Sequence, residues 1–391
     1  ARFRLMTGVS SPQQFANDLE RGAAIQRERA QDVNRVDYKH TLAAILLLSA
    51  CTIGMAALAW RPGLARSAAA NTDALSPRLN AFTGSAGASS APTHRRYFGF
   101  NLVFIGPSLA LLLALVIGPS LMALSWSFFH WDGFTPRTWA GFFNFKWLLF
   151  ESDAFWFSLR NNLFVMTVPT LVIVPTALFL AALLHRGVWG QGVFRAVFLF
   201  PNLLGGVAAT LLWMNAYDPQ GGVVNRFLTG LGSLLHSDWL HSFHGYAWLA
   251  QNHLYWALVP IYLWMACGFN LVLYLAAMQG INPELYEAAE LEGATALRQF
   301  FTITLPMIRG VLATSAVFLV ITGLNAFELI WLLTSQDPAS DSHVLSTLMV
   351  STMFREFQVG QATAIAVVMF VLVLLVSIWV LRGFGREEVS E

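Results

Sequence analysis

The sequence predicts an all-α integral membrane protein, and three observations carry that prediction. Of its 391 residues, 56% are hydrophobic and only 12% charged, whereas a soluble domain carries about 25% charged residues. Seven uncharged or nearly uncharged stretches, at 42–60, 99–127, 162–184, 196–216, 255–279, 310–334 and 361–381, match the roughly 20 helical residues that cross a hydrocarbon core about 30 Å thick. None shows the alternating pattern of a membrane barrel, so each is expected to satisfy its backbone as a helix.

Taken in order, residues 1–40 form a polar, helix-permissive N-terminal tail. Residues 41–60 are expected to be an extra transmembrane helix. Leu48-Ser49-Ala50-Cys51 within it has the make-up of a lipoprotein cleavage box. A signal peptide, however, has a short charged region before its apolar core, whereas here the whole polar tail precedes and the chain stays apolar after Cys51, which favours a membrane helix. Residues 61–94, rich in Ala, Ser, Gly, Asn and Pro, read as a flexible linker. Residues 95–391 hold six long segments and are taken as a single transmembrane domain.

Arginines near segment ends suggest the orientation. Arg95, Arg96, Arg186, Arg195, Arg298, Arg309, Arg382 and Arg386 fall on one side, and Arg137, Lys146, Arg160, Arg226 and Arg355 on the other. The richer side is expected to be cytoplasmic, with the 280–306 loop and the C-terminus there. The aromatic-rich loops at 128–160 and 217–254 then lie outside.

Composition also excludes function classes. A formal net charge of +1 offers no basic face for nucleic acid. Cys51 and Cys267 lie in apolar runs and the nine histidines are scattered, so neither a disulfide framework, a metal site nor a catalytic constellation is expected. The lysines are Lys39 and Lys146, and neither follows a glycine. The Gly-Lys-Ser/Thr end of a phosphate-cradling loop is therefore missing, and this chain is not expected to hydrolyse nucleotide itself.

The most informative stretch runs from Gly280 to Pro306. Asn282 suits an N-cap and Pro283 the first helical position. Gly293 permits the left-handed turn that ends that helix. Thr295 can cap a second short helix, and Pro306 fits the first turn of the long segment that follows. The expected unit is a helix-turn-helix continuous with a membrane helix, able to pass a push on its tip to the bundle.

Glu287-Ala288-Ala289, then Gly293 after three residues and Ile303-x-Leu305-Pro306 after nine more, resembles the EAA loop of permease subunits in binding-protein-dependent ABC importers. Glu292 stands where that family usually has Asp, which keeps the charge. The resemblance implies a six-helix ABC importer transmembrane domain with an extra N-terminal helix. It makes Glu287, Ala288, Ala289, Gly293, Ile303, Leu305 and Pro306 the ATPase-coupling residues. Glu287 would pair with a basic residue of the ATPase, the alanines would allow close approach, and Gly293 would make the turn.

The resemblance runs from Arg95 on. Within it, Gly106-Pro107, Gly118-Pro119 and the run from Leu124 to Gly133 look like the entry helix of sugar-type first permeases, of the maltose-porter or glycerol-phosphate-porter kind. The implied partners are a second permease, a pair of ATP-binding subunits, an extracytoplasmic solute-binding protein and the lipid bilayer. No cofactor is expected on this chain, with ATP and Mg used by the partner ATPase. The implied location is the bacterial plasma (inner) membrane. A carbohydrate is the expected solute. A non-sugar solute such as glycerol phosphate or a polyamine stays open, as does the different class of membrane scaffold or passive channel.

Polar groups within membrane segments are costly enough to mark a solute path. Ser315, Thr322 and Asn325 share one stripe of the 310–334 segment, with Glu328 a turn further on, and Asn270 sits mid-segment near Gly268. Asn325, Glu328 and Asn270 are candidate pathway residues. The alternative is that Glu328 reaches water at the segment end and that the amides serve as interhelical glue. Trp213, Tyr255, Trp256 and Tyr262 could stack on sugar rings, but interfacial anchoring is the reading favoured for them.

Overall fold

A backbone in lipid has no water to bond, so long apolar runs close their hydrogen bonds within helices. The computed structural model describes residues 38–59, 105–187, 189–324 and 326–384. The expected tail apart from residues 38–40, the linker, the start of the entry helix and Asn325 lie outside the described residues.

Helix α1 (Thr41–Ala59) is followed by α2 (Ile105–Trp126), which contains a π-turn at Leu113–Ile117 and buries no residue against the rest of the chain. A two-residue antiparallel ladder then pairs β1 (Phe129–His130) with β2 (Thr138–Trp139), and α3 (Phe143–Lys146) leads through a π-turn to Glu151. Helix α4 (Asp153–His185) starts before the apolar run that predicted it. Ser152 caps it by accepting the Phe155 N–H at 3.2 Å, and its first turns turn Phe155, Ser158, Asn161 and Asn162 inward.

The expected 196–216 span is two helices, α5 (Gln191–Leu203) and α6 (Gly206–Ala216), bent by 97°. Pro201 cannot donate into the helix. Gly205, at φ 73° and ψ 153°, sits in a region essentially reserved for glycine. Helices α7 (Val223–Leu235) and α8 (Asp238–His241) fill the next connection, and the long helix α9 (Leu254–Gln279) follows. Then follow α10 (Pro283–Leu291), α11 (Ala296–Met307) and α12 (Arg309–Leu324).

The expected 310–334 span is also interrupted: α12 ends at Leu324, and a separate helix α13 (Glu328–Leu333) follows. Helices α14 (Leu345–Phe354) and α15 (Val359–Phe384) are the last among the described residues. Among the described residues, four helices are long and apolar enough to cross a membrane, or six if each bent pair counts as one span.

Three apolar clusters hold the bundle. One end packs Val165, Leu254, Leu258, Ile261, Ile330 and Val344, and the other packs Ala177, Ala181, Leu271, Tyr274, Met278 and Ile308. A third joins Leu148, Phe155, Leu345 and Ile365 to Ala44 of α1. The start of α1 is seated by the His40 N–H on the Phe150 carbonyl at 2.9 Å and by its ring Nε2 on the Asp153 carboxylate at 2.7 Å.

Candidate functional site

Two regions carry the candidate residues. The first is the loop between α9 and α12. The Asn282 side chain accepts the Glu284 N–H at 3.1 Å, and Pro283 takes the first helical position, so α10 begins as its sequence dictates. It ends in a Schellman closure: Gly293 N–H reaches the Glu290 carbonyl and Ala294 N–H the Ala289 carbonyl, both at 2.9 Å. Gly293 makes this possible at φ 77°, with nothing within 4 Å of where a side chain would begin. Thr295 then caps α11 by accepting the Arg298 N–H at 3.4 Å.

The two short helices are tied at their base. The hydroxyls of Tyr286 and Thr304 lie 2.9 Å apart, and Tyr286, Phe300 and Ile303 pack against the cluster of Ala181, Leu184, Met278 and Ile308. The sequence reading did not single out Tyr286. Its signal was an aromatic inside an otherwise acidic helix. Glu287, Ala288 and Leu291 remain exposed, Leu291 at 91%, so α10 presents a free face while its other side is anchored. Ile303 and Leu305 are half-buried and Pro306 exposed.

Pro306 lies at the end of α11 rather than at the start of the long helix. The chain then bends by 67° into α12 at the buried Ile308. In place of the expected continuous helix, two helices meet at a corner.

The second region is a cleft of about 250 Å³ where the two broken spans meet α9. Asn270 and Glu328 both line it, together with Asn202, Tyr262 and Thr322. Asn325, the third candidate, is the residue outside the description at this point. The Asn270 Nδ2 donates to the Ala266 carbonyl at 2.9 Å, and the Asn202 Nδ2 to the Met265 carbonyl at 3.3 Å. Ser315 parts company with its stripe: it is buried and hydrogen-bonded to the Tyr274 hydroxyl, whereas Thr322 is exposed in the cleft.

Glu328 is the first residue of α13, and its exposed carboxylate lies against Gly206, the first residue of α6. A Cβ on Gly206 would come within 2.7 Å of the Glu328 Cδ. Of the four aromatics considered, Tyr262 lines the cleft. Tyr255 donates to the Ser342 carbonyl at 3.0 Å, Trp213 packs on Tyr217, and Trp256 is 65% exposed.

The break between α12 and α13 is built from a distance. Asn162, fully buried on α4, donates to the carbonyls of Gly323 at 3.3 Å and Leu324 at 3.1 Å and accepts the Leu345 N–H at 2.7 Å. It thereby satisfies the end of α12 and the start of α14, which water would otherwise have to do. Asn161 beside it donates to the carbonyls of Asp341 at 2.7 Å and His343 at 2.9 Å. Sequence reading missed this pair, although two adjacent amides opening an apolar run were a signal. Among the described residues, no group of three or more His, Cys, Asp or Glu side chains could hold a metal.

Residues 154–386 match the family described as binding-protein-dependent transport system inner membrane component. The diacetylchitobiose uptake system permease protein NgcF of Streptomyces coelicolor is 32% identical over 306 residues, covering 74% of this chain and 84% of that protein. The osmoprotective compounds uptake permease protein GgtC of Synechocystis is 29% identical, covering 73% of this chain and 99% of that protein. A chain in the crystal structure of a bacterial ABC transporter that imports the acidic polysaccharide alginate superposes with a TM-score of 0.64. It has 24% identity and covers 75% of this chain and 97% of that one.

Proposed function

This chain belongs to the family of inner membrane components of binding-protein-dependent transport systems, and from that premise we propose that it is one half of the solute pathway of a carbohydrate importer, driven through the 280–306 loop by a separate ATPase. The observation that carries the coupling role is the build of α10: a helix closed at both ends by its own side chains and glycine, anchored through Tyr286, and exposed along Glu287, Ala288 and Leu291.

A docked partner pressing on that face would move α10 and α11 as one body and turn α12 about Ile308. Glu287 would engage a basic residue of the ATPase. Truncating it should cost about 2 to 5 kcal/mol of docking if the pair is desolvated and nearer ~1 if solvated. The loop and C-terminus then face the cytoplasm. The remaining partners are a second permease and an external binding protein that delivers the solute. This chain breaks no bond; ATP and Mg serve the partner subunits.

The cleft holding Asn270 and Glu328, with Asn325 beside it in sequence, is proposed as the part of the pathway on this chain. A carbohydrate suits a site offering amides, a hydroxyl and aromatic rings, and a relative is named for diacetylchitobiose uptake. A non-sugar solute is the second reading, favoured by the relative named for osmoprotective compounds.

The test is uptake of radiolabelled solute by cells carrying Gly293→Val. Loss of uptake with normal membrane insertion is expected. Unchanged uptake would remove the coupling role, and uptake that proceeds without any ATPase subunit would make the protein a channel.

A further inference from the structure

Resting on the cleft as the solute pathway, we infer that Glu328 makes this half of the importer selective by charge: it admits neutral and amine-bearing sugars and rejects acidic ones. Among the described residues no Arg, Lys or His lines the cleft, and Glu328 is its single carboxylate. Among the described residues no ion pair or hydrogen bond engages that carboxylate. It lies over the bare backbone of Gly206, whose missing side chain leaves room for it at the cleft wall.

The start of α6 lies under the carboxylate and offsets its charge only in part, since a helix N-terminus is equivalent to about half an elementary charge. A net negative potential therefore remains in the cleft, where like charge is repelled and an ammonium attracted. The remaining polar side chains of the lining, Asn202, Tyr262, Asn270 and Thr322, are uncharged. They can meet sugar hydroxyls of any kind and add no compensating cation.

The test uses the complete importer in nanodiscs, with the binding protein omitted so that its own selectivity does not enter. Three β-1,4 disaccharides are titrated calorimetrically at neutral pH: one with free amines, its N-acetylated neutral form, and a diuronic acid. The amine form should bind about tenfold or more tighter than the diuronic acid. Glu328→Gln, which keeps the shape, should bring the three within about threefold of one another. Thr322→Trp, which fills the cleft, should weaken all three.

Equal affinities in the unaltered protein, or a preference that survives Glu328→Gln, would overturn the charge selector while leaving the cleft as the pathway. Binding of all three to Thr322→Trp at unaltered affinity would overturn the pathway reading and the selector with it. Failure of the amine form to bind the unaltered protein would also overturn the selector.

Discussion

The loop around α10 and the cleft around Glu328 are built on opposite principles. In the loop, every helix end is satisfied by a neighbour in sequence: Asn282 caps α10, the Schellman pair closes it, and Thr295 caps α11. Beside the cleft, helix ends are satisfied by a residue from elsewhere, with Asn162 of α4 serving both α12 and α14. A part that must move as a rigid body benefits from self-sufficiency. A part whose shape must differ between states is better made where several helices meet.

This contrast predicts where substitutions hurt folding and where they hurt coupling. The largest effect is expected for Asn162→Ala, which strips the partners of two carbonyls and one N–H in a buried site and should destabilise the protein by about 2 to 5 kcal/mol. Unfolding in mixed micelles would measure it. A loss under about 1 kcal/mol would mean the α12 break does not depend on α4.

Gly206→Ala comes next: its Cβ would meet only the carboxylate end of the exposed Glu328 side chain, so the expected cost is that of swinging this side chain aside, about 1 kcal/mol. That cost should largely vanish in a Glu328→Ala background, giving a coupling energy of about 0.5 kcal/mol or more in a double-mutant cycle. Equal costs in both backgrounds would dissolve the contact between the two broken spans.

Gly293→Val sharpens the other side of the comparison. Its side chain meets open space, so the cost is the left-handed backbone alone, about 1 to 2 kcal/mol. Gly293→Asn, which tolerates that conformation, should restore uptake that the valine variant loses. Tyr286→Phe should remove only the link to Thr304, about 0.5 to 1.5 kcal/mol, and loosen the coupling of ATP hydrolysis to uptake while the bundle stays intact.

The smallest effect lies in the connection after α2. The N–H groups of Phe134 and Thr135 and the Thr135 hydroxyl all donate to the Asp132 carboxylate and hold its pKa below the usual carboxylate value. A depressed folded pKa contributes stability above the unfolded value, near about 3.9, and loses it as pH falls through the folded value. Slowed amide exchange at Phe134 and Thr135 should therefore persist from neutral pH to about pH 4 and fade below it.

Much of the loop was legible in sequence because its determinants are a few residues apart: the caps at Asn282 and Thr295 and the turn at Gly293 appear where the residue types call for them. Half of the cleft was legible in principle. Pro201 and Gly205-Gly206 interrupt an apolar run, and such interruptions point to solute sites in transporters. Reading the run by hydropathy alone missed the 97° bend. The other half was not legible, since Gly323-Leu324-Asn325-Ala326 contains no proline and could have continued as a helix.

By itself, the sequence determined that this chain lies in a membrane, which runs are helical, and how α10 is capped, because those outcomes follow from hydrophobic run length and from hydrogen bonds between near neighbours. Only the tertiary structure decided that α12 stops at Leu324, that α11 meets α12 at a 67° corner at Ile308, and that Glu328 lies against Gly206 rather than near the outer end of one unbroken span. A helix breaks where its freed carbonyls find a better partner. For Gly323 that partner is Asn162, 161 residues away in the chain and beyond the reach of any local pattern.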